Sequence, residues 1–309
     1  MADLDVNEDV KRNAFTVKNY RDKYPAIDPS RPELAQTGKV VVITGGSRGL
    51  GRLAFAASFA RAGAAVIALI GRSASGLEET EKFINDIDPS IKVLRFALDI
   101  TDQTAVETAF KDITAQAGVP QVLINNAGNL SPLESTFDSS LDSWWECQEI
   151  NIKGTYNVTK AFLKETGATP TKSTTIVTIT SLAAHGTAPG MGGYSLAKLA
   201  LTKLTAYVAS EHPSITSVSL DPGIVPTDMG RSVPFLAPFM LDTPELVGGA
   251  AVWLSSGDKS FLSGRYVSSN WDVEEIELRK GEIVDEDQLK FKIKANYAAN
   301  ATVENVEMI

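Results

Sequence analysis

The sequence predicts an α/β protein with a doubly wound parallel sheet of about seven strands and helices on both faces. Short apolar runs alternate along the chain with longer helical patterns, and most of the runs are nearly continuous in apolar residues. Strands of that kind are buried on both faces, as in a parallel sheet covered by helices. The predicted strands are Val40 to Thr44, Ala65 to Ile70, Val93 to Leu98, Val122 to Asn125, Ile176 to Thr180, Ile215 to Leu220 and Tyr266 to Ser268.

The first predicted strand ends in a glycine-rich turn, Thr44-Gly45-Gly46-Ser47-Arg48-Gly49-Leu50-Gly51. Glycine permits positive φ and lets a pyrophosphate approach the backbone without meeting a Cβ. The following helix, predicted for Arg52 to Ala62, would present unpaired N–H groups and its positive dipole end to that anion. The turn favours a nucleotide site, and an ordinary glycine-rich turn is the alternative.

The ends of the later strands carry further polar motifs. Asp99 follows the third strand, and Asn125 to Gly128 close the fourth. Ser181 follows the fifth strand, and Asp221 to Gly223 follow the sixth. Because ligands of doubly wound sheets bind beyond the carboxyl ends of the strands, we expect these motifs to form one site.

Tyr194 and Lys198 lie four residues apart, so on a helix they project from the same face. A free phenol has a pKa near ~10, and a neighbouring ammonium stabilises its phenolate. With the hydroxyl of Ser181, these groups can protonate a carbonyl oxygen while a hydride reaches the carbon. That chemistry implies a nicotinamide cofactor.

These motifs, taken in order over about residues 38 to 270, resemble the classical short-chain dehydrogenase/reductase family. The resemblance rests on Thr44 to Gly51, Asn125 to Gly128, Asn151, Ser181, Tyr194 to Lys198 and Asp221 to Gly223. It implies a Rossmann-like fold and an NAD(P)-dependent oxidoreductase that acts on a carbonyl or a secondary alcohol. Trp271 to Glu275 resemble fungal members of the family.

The resemblance also implies roles for single residues. Ser181 would bind the substrate oxygen, Tyr194 would donate the proton, and Lys198 would hold the cofactor ribose and tune Tyr194. Asn151 would hold a water chain from Lys198 to solvent. The implied cofactor-binding residues are Gly45, Ser47, Arg48, Gly49, Leu50, Gly51, Arg72, Ser73, Asp99, Ile100, Asn126, Ala127, Gly128, Tyr194, Lys198, Pro222, Gly223, Ile224 and Thr227. Among them, Asn126 would serve structure and cofactor positioning, while the Ile224 backbone and the Thr227 hydroxyl would bind the carboxamide.

The choice of cofactor depends on the end of the second strand. An NAD enzyme places a carboxylate there for the ribose hydroxyls, and an NADP enzyme needs positive charge. This chain has Arg72 and Ser73 at that point, with no carboxylate before Glu78, and Arg48 lies where NADP-preferring family members often carry a basic residue. We expect NADP(H), with NAD(H) as the alternative if Arg72 faces solvent and Arg48 only caps the loop.

Asp99 has two interpretations. It resembles the family residue that accepts a hydrogen bond from the adenine amino group. It could instead cap the helix that begins near Asp102.

Composition restricts the class of partner. The chain has 309 residues and a net charge of -9, so its general field repels phosphates and argues against nucleic acid or an anionic membrane as a partner. One cysteine, Cys147, excludes an internal disulfide, and two histidines far apart in sequence make a histidine metal site unexpected. The acidic N-terminal residues lack the features of a signal peptide, so we expect a cytoplasmic location.

The two ends fall outside the family resemblance. We predict an N-terminal arm over residues 1–37, a single Rossmann-type domain over 38–271 and a C-terminal extension over 272–309. The arm and the extension could wrap a neighbouring subunit, cover the rim of the site or be partly disordered.

Three segments are predicted to shape the surroundings of the site. Asp228 to Asp242 is rich in apolar residues and favours a substrate lid for an apolar small molecule, with a dimer contact or a core helix as the alternatives. His185 to Gly193 would form the opposite wall, with His185 either bonding substrate or serving structure. The helices around Leu141 to Thr166 and Tyr194 to His212 correspond to those through which the family dimerises, so we expect a homodimer or homotetramer.

Two other function classes remain open. A non-catalytic dinucleotide sensor would bind the cofactor and a protein partner without turnover. A dehydratase or epimerase would hold its cofactor tightly and consume none.

Overall fold

The computed structural model describes residues 5–167 and 174–293 and has a seven-stranded parallel sheet at its centre. The strands are β1 Val40–Thr44, β2 Val66–Gly71, β3 Lys92–Ala97, β4 Val122–Asn125, β5 Thr175–Ile179, β6 Thr216–Asp221 and β7 Tyr266–Ser268. They lie in the order β3-β2-β1-β4-β5-β6-β7, so the direction of winding reverses between β1 and β4. The predicted doubly wound sheet is confirmed, and no predicted strand bound differs by more than one residue.

Helices cover both faces of this sheet. They are α1 Glu8–Arg12, α2 Ala57–Arg61, α3 Ala74–Ile87, α4 Gln103–Ala117, α5 Leu141–Gln148, α6 Thr155–Thr166, α7 Gly192–Glu211, α8 Asp228–Arg231, α9 Pro244–Leu254, α10 Val273–Leu278 and α11 Lys280–Asp285. π-helical turns at Gly51–Ala56 and Glu149–Gly154 lead into α2 and α6.

Alternate residues of each central strand point to opposite faces of the sheet, and this divides the core into two clusters. In β1, Val41 and Ile43 pack with the helices α2, α3 and α9. Val40 and Val42 pack instead with α4 and α6. Burial on both faces explains why the strand sequences are continuously apolar.

The edge strand β3 departs from this pattern. Of its six residues only Leu94 is buried, because β3 has a strand neighbour on one side only. Arg95 instead forms an exposed ion pair with Glu81 of α3, at 3.0 Å.

Residues from both predicted terminal segments enter the first core cluster. Tyr24 and Ile27 from the arm are buried in it, together with Ile276 from beyond residue 271. The Tyr24 hydroxyl donates to Trp271 O at 3.1 Å and accepts from the Val273 N–H at 2.9 Å. The described parts of the two ends therefore pack on each other and on the sheet.

The glycine turn after β1 is closed by direct backbone packing. The following helix begins as the π-helical turn at Gly51, where we had predicted regular helix from Arg52. A Cβ on Gly51 would lie 2.1 Å from Gly45 O, so only glycine lets the helix approach the turn this closely.

We expect Gly51→Ala to lower the free energy of unfolding by about 1–3 kcal/mol, because the added methyl group overpacks a backbone contact. Urea unfolding followed by circular dichroism measures the change. Gly281→Ala in α11 is the control, since its Cβ would meet no atom within 4 Å. The control should be neutral or stabilising by about 0.5–1 kcal/mol. Equal stability of Gly51→Ala and the unchanged chain would contradict the packing described.

Candidate active site

One cleft of about 1010 Å³ lies at the carboxyl edge of the sheet, where the ends of the parallel strands face the same way. Of the site residues predicted from the sequence, all but Gly51 and Asn151 line it. Those that line it are Gly45, Ser47, Arg48, Gly49, Leu50, Arg72, Ser73, Asp99, Ile100, Asn126, Ala127, Gly128, Ser181, Tyr194, Lys198, Pro222, Gly223, Ile224 and Thr227. Gly51 and Asn151 are buried directly behind this lining.

The floor of the cleft is built where β1 and β4 end side by side. The Thr44 hydroxyl oxygen accepts from the backbone N–H groups of Asn126 and Ala127, both at 3.0 Å. The Asn126 amide donates back to Thr44 O at 2.9 Å. Gly45 has φ +65°, and a Cβ there would lie 2.8 Å from the Asn126 amide nitrogen. Side chains at Gly45 and Gly51 would fill this cradle, which suits a pyrophosphate.

The helix α7 presents Tyr194 and Lys198 to the cleft one turn apart. The Lys198 ammonium lies 5.5 Å from the Tyr194 ring centroid and donates to Ile179 O at 2.8 Å. The Tyr194 hydroxyl is hydrogen-bonded to Ser181, which follows β5. The three predicted groups therefore converge on one point of the cleft.

Burial acts in opposite directions on the two titratable groups. It raises the pKa of Tyr194 well above its ordinary value, and the hydrogen bond to Ser181 opposes that shift. It lowers the pKa of Lys198 to about 8, against the opposing influence of Cys147 and Asp221. Burial therefore favours a neutral phenol and makes the Lys198 ammonium a stronger acid than a free lysine.

Asn151 lies in the π-helical turn between α5 and α6. Its side-chain nitrogen donates to Asn129 O at 3.0 Å and to Cys147 O at 2.8 Å. Its Oδ1 is buried and has no hydrogen-bond partner among the described residues. A Cβ at Gly128 would lie 2.5 Å from that oxygen and 3.7 Å from the Lys198 ammonium. Asn151 Oδ1 therefore faces the back of Gly128, on the side where Lys198 lies.

Two arginines lie on the wall formed by the ends of β1 and β2. Arg72 is 3.9 Å from Asp99 and Arg48 is 3.6 Å from Asp228, and the four side chains are largely exposed. Exposed pairs of this kind hold their partners weakly. Ser73 caps α3, with its hydroxyl oxygen accepting from the Gly76 N–H at 3.1 Å.

The structure removes one interpretation of Asp99. The N-cap of α4 is Asp102, whose carboxylate accepts from the Ala105 N–H at 3.0 Å. The Asp99 carboxylate instead accepts from the N–H and the hydroxyl of Thr101, both at 2.9 Å. Asp99 also lines the cleft. The capping alternative for Asp99 is therefore wrong, because the helix begins one turn later.

The loop after β6 differs from the expectation at one residue. The Ile224 N–H belongs to the backbone that we expected to bind a carboxamide, but it donates to Asp242 Oδ2 at 2.6 Å. This contact arises because Asp242 lies directly beneath the loop, before α9. Thr227 lines the cleft and caps α8, accepting from the Gly230 N–H at 3.1 Å.

Asp221 fastens this loop to its neighbours. Its Oδ1 accepts from the N–H groups of Leu182 at 3.2 Å and Gly223 at 3.3 Å. Its Oδ2 accepts from the Tyr266 hydroxyl at 2.8 Å. Burial raises the pKa of this carboxyl, and these hydrogen bonds oppose the shift. Asp221 thereby fixes the segment that carries Ser181 relative to the loop after β6.

The mouth of the cleft has a largely apolar side and an opposite wall made mainly of small residues. The apolar residues come from α8, the 3₁₀ turn Pro234–Phe239 and the link between them, namely Met229, Val233, Phe235 and Leu236. The opposite wall contains Gly186, Thr187, Ala188 and Met191. His185 packs its ring against Tyr266, at 5.4 Å, and Phe291, at 5.9 Å, and is outside the cleft lining. His185 is therefore a structural residue.

The cleft also contains residues that we did not predict from the sequence. Asp9, Val10 and Asn13 of the arm line it, as does Trp271, whose indole N–H donates to Asn13 O at 2.8 Å. Trp271 could have been predicted to line the cleft, because it follows the end of β7 and the carboxyl ends of the strands meet at this edge. For the arm, the sequence offered only the general expectation that it could cover the rim of the site, and it did not indicate which residues would line the cleft.

Residues 5–167 and 174–293 contain no group of three or more His, Cys, Asp or Glu side chains arranged to hold a metal ion. No helix within the same ranges is sufficiently long and apolar to cross a bilayer.

Known proteins share both the sequence pattern and this architecture. The family model for short chain dehydrogenases matches residues 39–234. The short chain dehydrogenase mpl6 of Monascus purpureus is 36% identical over 284 residues, covering 89% of this chain and 95% of that relative. NAD+-bound xylitol dehydrogenase matches with a TM-score of 0.69 and 23% identity, covering 75% of this chain and 98% of its own. A protein of Escherichia coli CFT073 solved with NADPH matches with a TM-score of 0.70 and 22% identity, covering 77% of this chain and 99% of its own.

The two solved structures share the fold with this chain, one with NAD+ and the other with NADPH, so the fold alone does not select the cofactor. The fungal relative supports the resemblance predicted from Trp271 to Glu275. From the family match and the cleft geometry together, the chain belongs to the short chain dehydrogenase family, as a fungal-type oxidoreductase of the kind that uses a nicotinamide cofactor.

Proposed function

We propose that the protein transfers a hydride between NADP(H) and a carbonyl or secondary alcohol of a mainly apolar small molecule. The observation that carries this proposal is the convergence of Ser181, Tyr194 and Lys198 on one cleft whose far end is a glycine cradle. When bound, the nicotinamide would supply the hydride in reduction and accept it in oxidation.

In reduction, Tyr194 donates its proton to the substrate oxygen. Its raised pKa keeps the phenol neutral, and therefore able to donate, before substrate arrives. Ser181, hydrogen-bonded to the same phenol, orients the substrate oxygen beside it. The Lys198 ammonium stabilises the negative charge left on the Tyr194 oxygen, and oxidation uses the same groups in reverse.

The proton that Tyr194 loses has to be replaced from solvent. The unpaired Oδ1 of Asn151 and the ammonium of Lys198 both lie behind Gly128, which supports a water between them. Asn151 would hold that water, and Lys198 would pass a proton from it toward Tyr194.

Charge at the end of β2 supports NADP(H). Arg48 and Arg72 line the cleft and are only weakly paired, so both guanidinium groups can bind a 2′-phosphate. Glu79, a carboxylate on this wall, is held by Arg52 at 2.8 Å. Ser73 adds a hydroxyl beside Arg72. Asp99 lies on the same wall and would accept from the adenine amino group.

The apolar mouth supports the proposed substrate class and the proposed lid. Met229, Val233, Phe235 and Leu236 offer side chains of the kind that bind apolar ligands, with Thr187 opposite. The segment from residue 228 to 242 would close on the substrate.

We also infer a homodimer or homotetramer formed through α5, α6 and α7. An apolar face on these helices remains exposed in the single chain, with the residues Leu141, Trp145, Tyr156, Leu196, Leu199 and Tyr207. Contiguous exposed apolar patches mark interfaces, and we infer that these residues form one. A cytoplasmic location stays a prediction from the sequence.

We expect Tyr194→Phe to reduce turnover about 10²–10⁴-fold, the usual contribution of a positioned proton donor. The assay follows NADPH absorbance across a panel of apolar ketones. Tyr207→Phe on the same helix is the control and should retain full turnover, because it removes a hydroxyl outside the cleft lining and keeps the ring that the proposed interface would use. Near wild-type turnover in Tyr194→Phe would contradict the assigned donor. Cofactor binding without turnover on any carbonyl would indicate a sensor, and bound cofactor that is never consumed would indicate a dehydratase or epimerase.

Arg72→Ala should lower the ratio of kcat/KM for NADPH over NADH about 10-fold or more, because a charge-assisted hydrogen bond contributes about 1.5–3 kcal/mol. Arg61→Ala, an exposed arginine at the end of α2, controls for the loss of one positive charge. A preference for NADH in the unchanged chain, or an unchanged ratio in Arg72→Ala, would refute the NADP assignment.

Leu196→Asp should shift the protein toward a monomer in light scattering, because a charge would have to be buried in the proposed interface. Leu278→Asp in α10 is the control. Leu278 is also an exposed leucine, but it lies outside the proposed interface. A monomeric unchanged chain would rule out the proposed assembly.

A further inference from the structure

A buried carboxylate joins the N-terminal arm to the loop after β6. The side chain of Asp242 is completely buried. It accepts from the Ile224 N–H at 2.6 Å, from the Asn270 amide at 2.7 Å and from Arg21 Nη1 at 3.2 Å on each oxygen. Three parts of the chain that are far apart in sequence therefore meet on one side chain.

A buried charge needs a compensating partner, because desolvation is costly and the interior does not screen it. Burial raises the pKa of Asp242 to about 6, and the Ile224 N–H and the Arg21 guanidinium oppose that shift. Within residues 5–167 and 174–293, the cation that forms an ion pair with Asp242 is Arg21. The ionised carboxylate that holds Ile224 therefore depends on a cation supplied by the arm.

The arm holds Arg21 firmly in place. Arg21 Nη2 lies 2.6 Å from an oxygen of Asp9 and donates to Val6 O at 2.9 Å. The backbone of Arg21 accepts from the Thr243 N–H at 2.9 Å, next to Asp242. Asp9 also lines the cleft, so the same short segment reaches from the carboxylate to the site.

The loop rests directly on this carboxylate. Gly223 has φ +71°, and a Cβ there would lie 2.3 Å from Asp242 Oδ2. A change in the position of the Asp242 side chain must therefore move the backbone of Gly223 and Ile224. Both residues line the cleft beside Asp221, whose Oδ1 also accepts from the Leu182 N–H next to Ser181.

We propose that Arg21, acting through Asp242, is a positioning residue that fixes the loop Pro222 to Thr227 against the cofactor, which makes the arm a part of the cofactor site. The inference rests on the proposed function, because the loop matters to turnover only if it borders the nicotinamide. Arg21 touches neither substrate nor cofactor in this proposal.

The test compares the full-length chain with Arg21→Gln, Asp242→Asn and the double variant. NADPH fluorescence gives the Kd for cofactor, steady-state kinetics give kcat and KM, and circular dichroism reports the folded fraction. We expect Arg21→Gln to weaken NADPH binding about tenfold or more and to lower kcat, with the folded fraction unchanged. Lys23→Gln, which removes an exposed ion pair from the same arm, is the control and should match the unchanged chain.

The double variant gives the decisive comparison. Asparagine at residue 242 keeps an acceptor for the Ile224 N–H but removes the buried charge that Arg21 compensates. We therefore expect Asp242→Asn to restore at least part of the NADPH affinity lost in Arg21→Gln. Additive losses in the double variant, or a Kd in Arg21→Gln equal to that of the unchanged chain, would overturn the inference.

Two further results keep the test conclusive. If Arg21→Gln does not fold, Arg21→Lys takes its place, since it keeps the charge and loses the planar fork. It should then weaken NADPH binding about threefold, and an unchanged Kd would overturn the inference. An unchanged chain that binds neither NADPH nor NADH would refute the proposed function itself, whereas binding that Arg21 does not affect would refute only the inference.

Discussion

The junction between the carboxyl ends of β1 and β4 is the constraint on which the site depends. Thr44 gives one hydroxyl oxygen to two backbone N–H groups of the neighbouring strand end, and Asn126 returns a hydrogen bond to Thr44 O. Gly45 leaves no room for a side chain at that junction. Because winding reverses at this point, the chain leaves β1 and β4 in opposite directions. The cleft opens between them, with its two walls held in fixed register.

Burial sets the chemistry of the reacting groups as strongly as proximity does. It pushes the pKa of Tyr194 upward and that of Lys198 downward, so each group is driven toward its neutral form. The attraction between the Lys198 ammonium and the Tyr194 oxygen opposes these two pKa shifts only when the phenol is ionised. A neutral donor before reaction and a stabilised phenolate afterwards are both compatible with this arrangement. The pair is therefore suited to reversible proton transfer.

The chain is acidic overall, but one wall of its cleft carries two arginines. With a net charge of -9, the protein as a whole repels an anionic cofactor. Arg48 and Arg72 supply local positive charge at the wall of the cleft, next to backbone N–H groups of the glycine turn. A short-range arrangement of donors can overcome the general field, because that field is screened beyond about 10 Å at an ionic strength of about 0.1 M.

The sequence by itself determined the sheet, the order of its motifs and the groups that meet in the cleft. Strand patterns and glycine positions act locally, and parallel strands bring their carboxyl ends to one edge whatever lies between them. The π-helical turn at Asn151 and the engagement of Ile224 by Asp242 were decided only by tertiary structure. So was the meeting of Arg21 with Asp242, which are 221 residues apart. Such contacts depend on how distant segments pack, and a buried carboxylate acquires its partner only once the chain around it has folded.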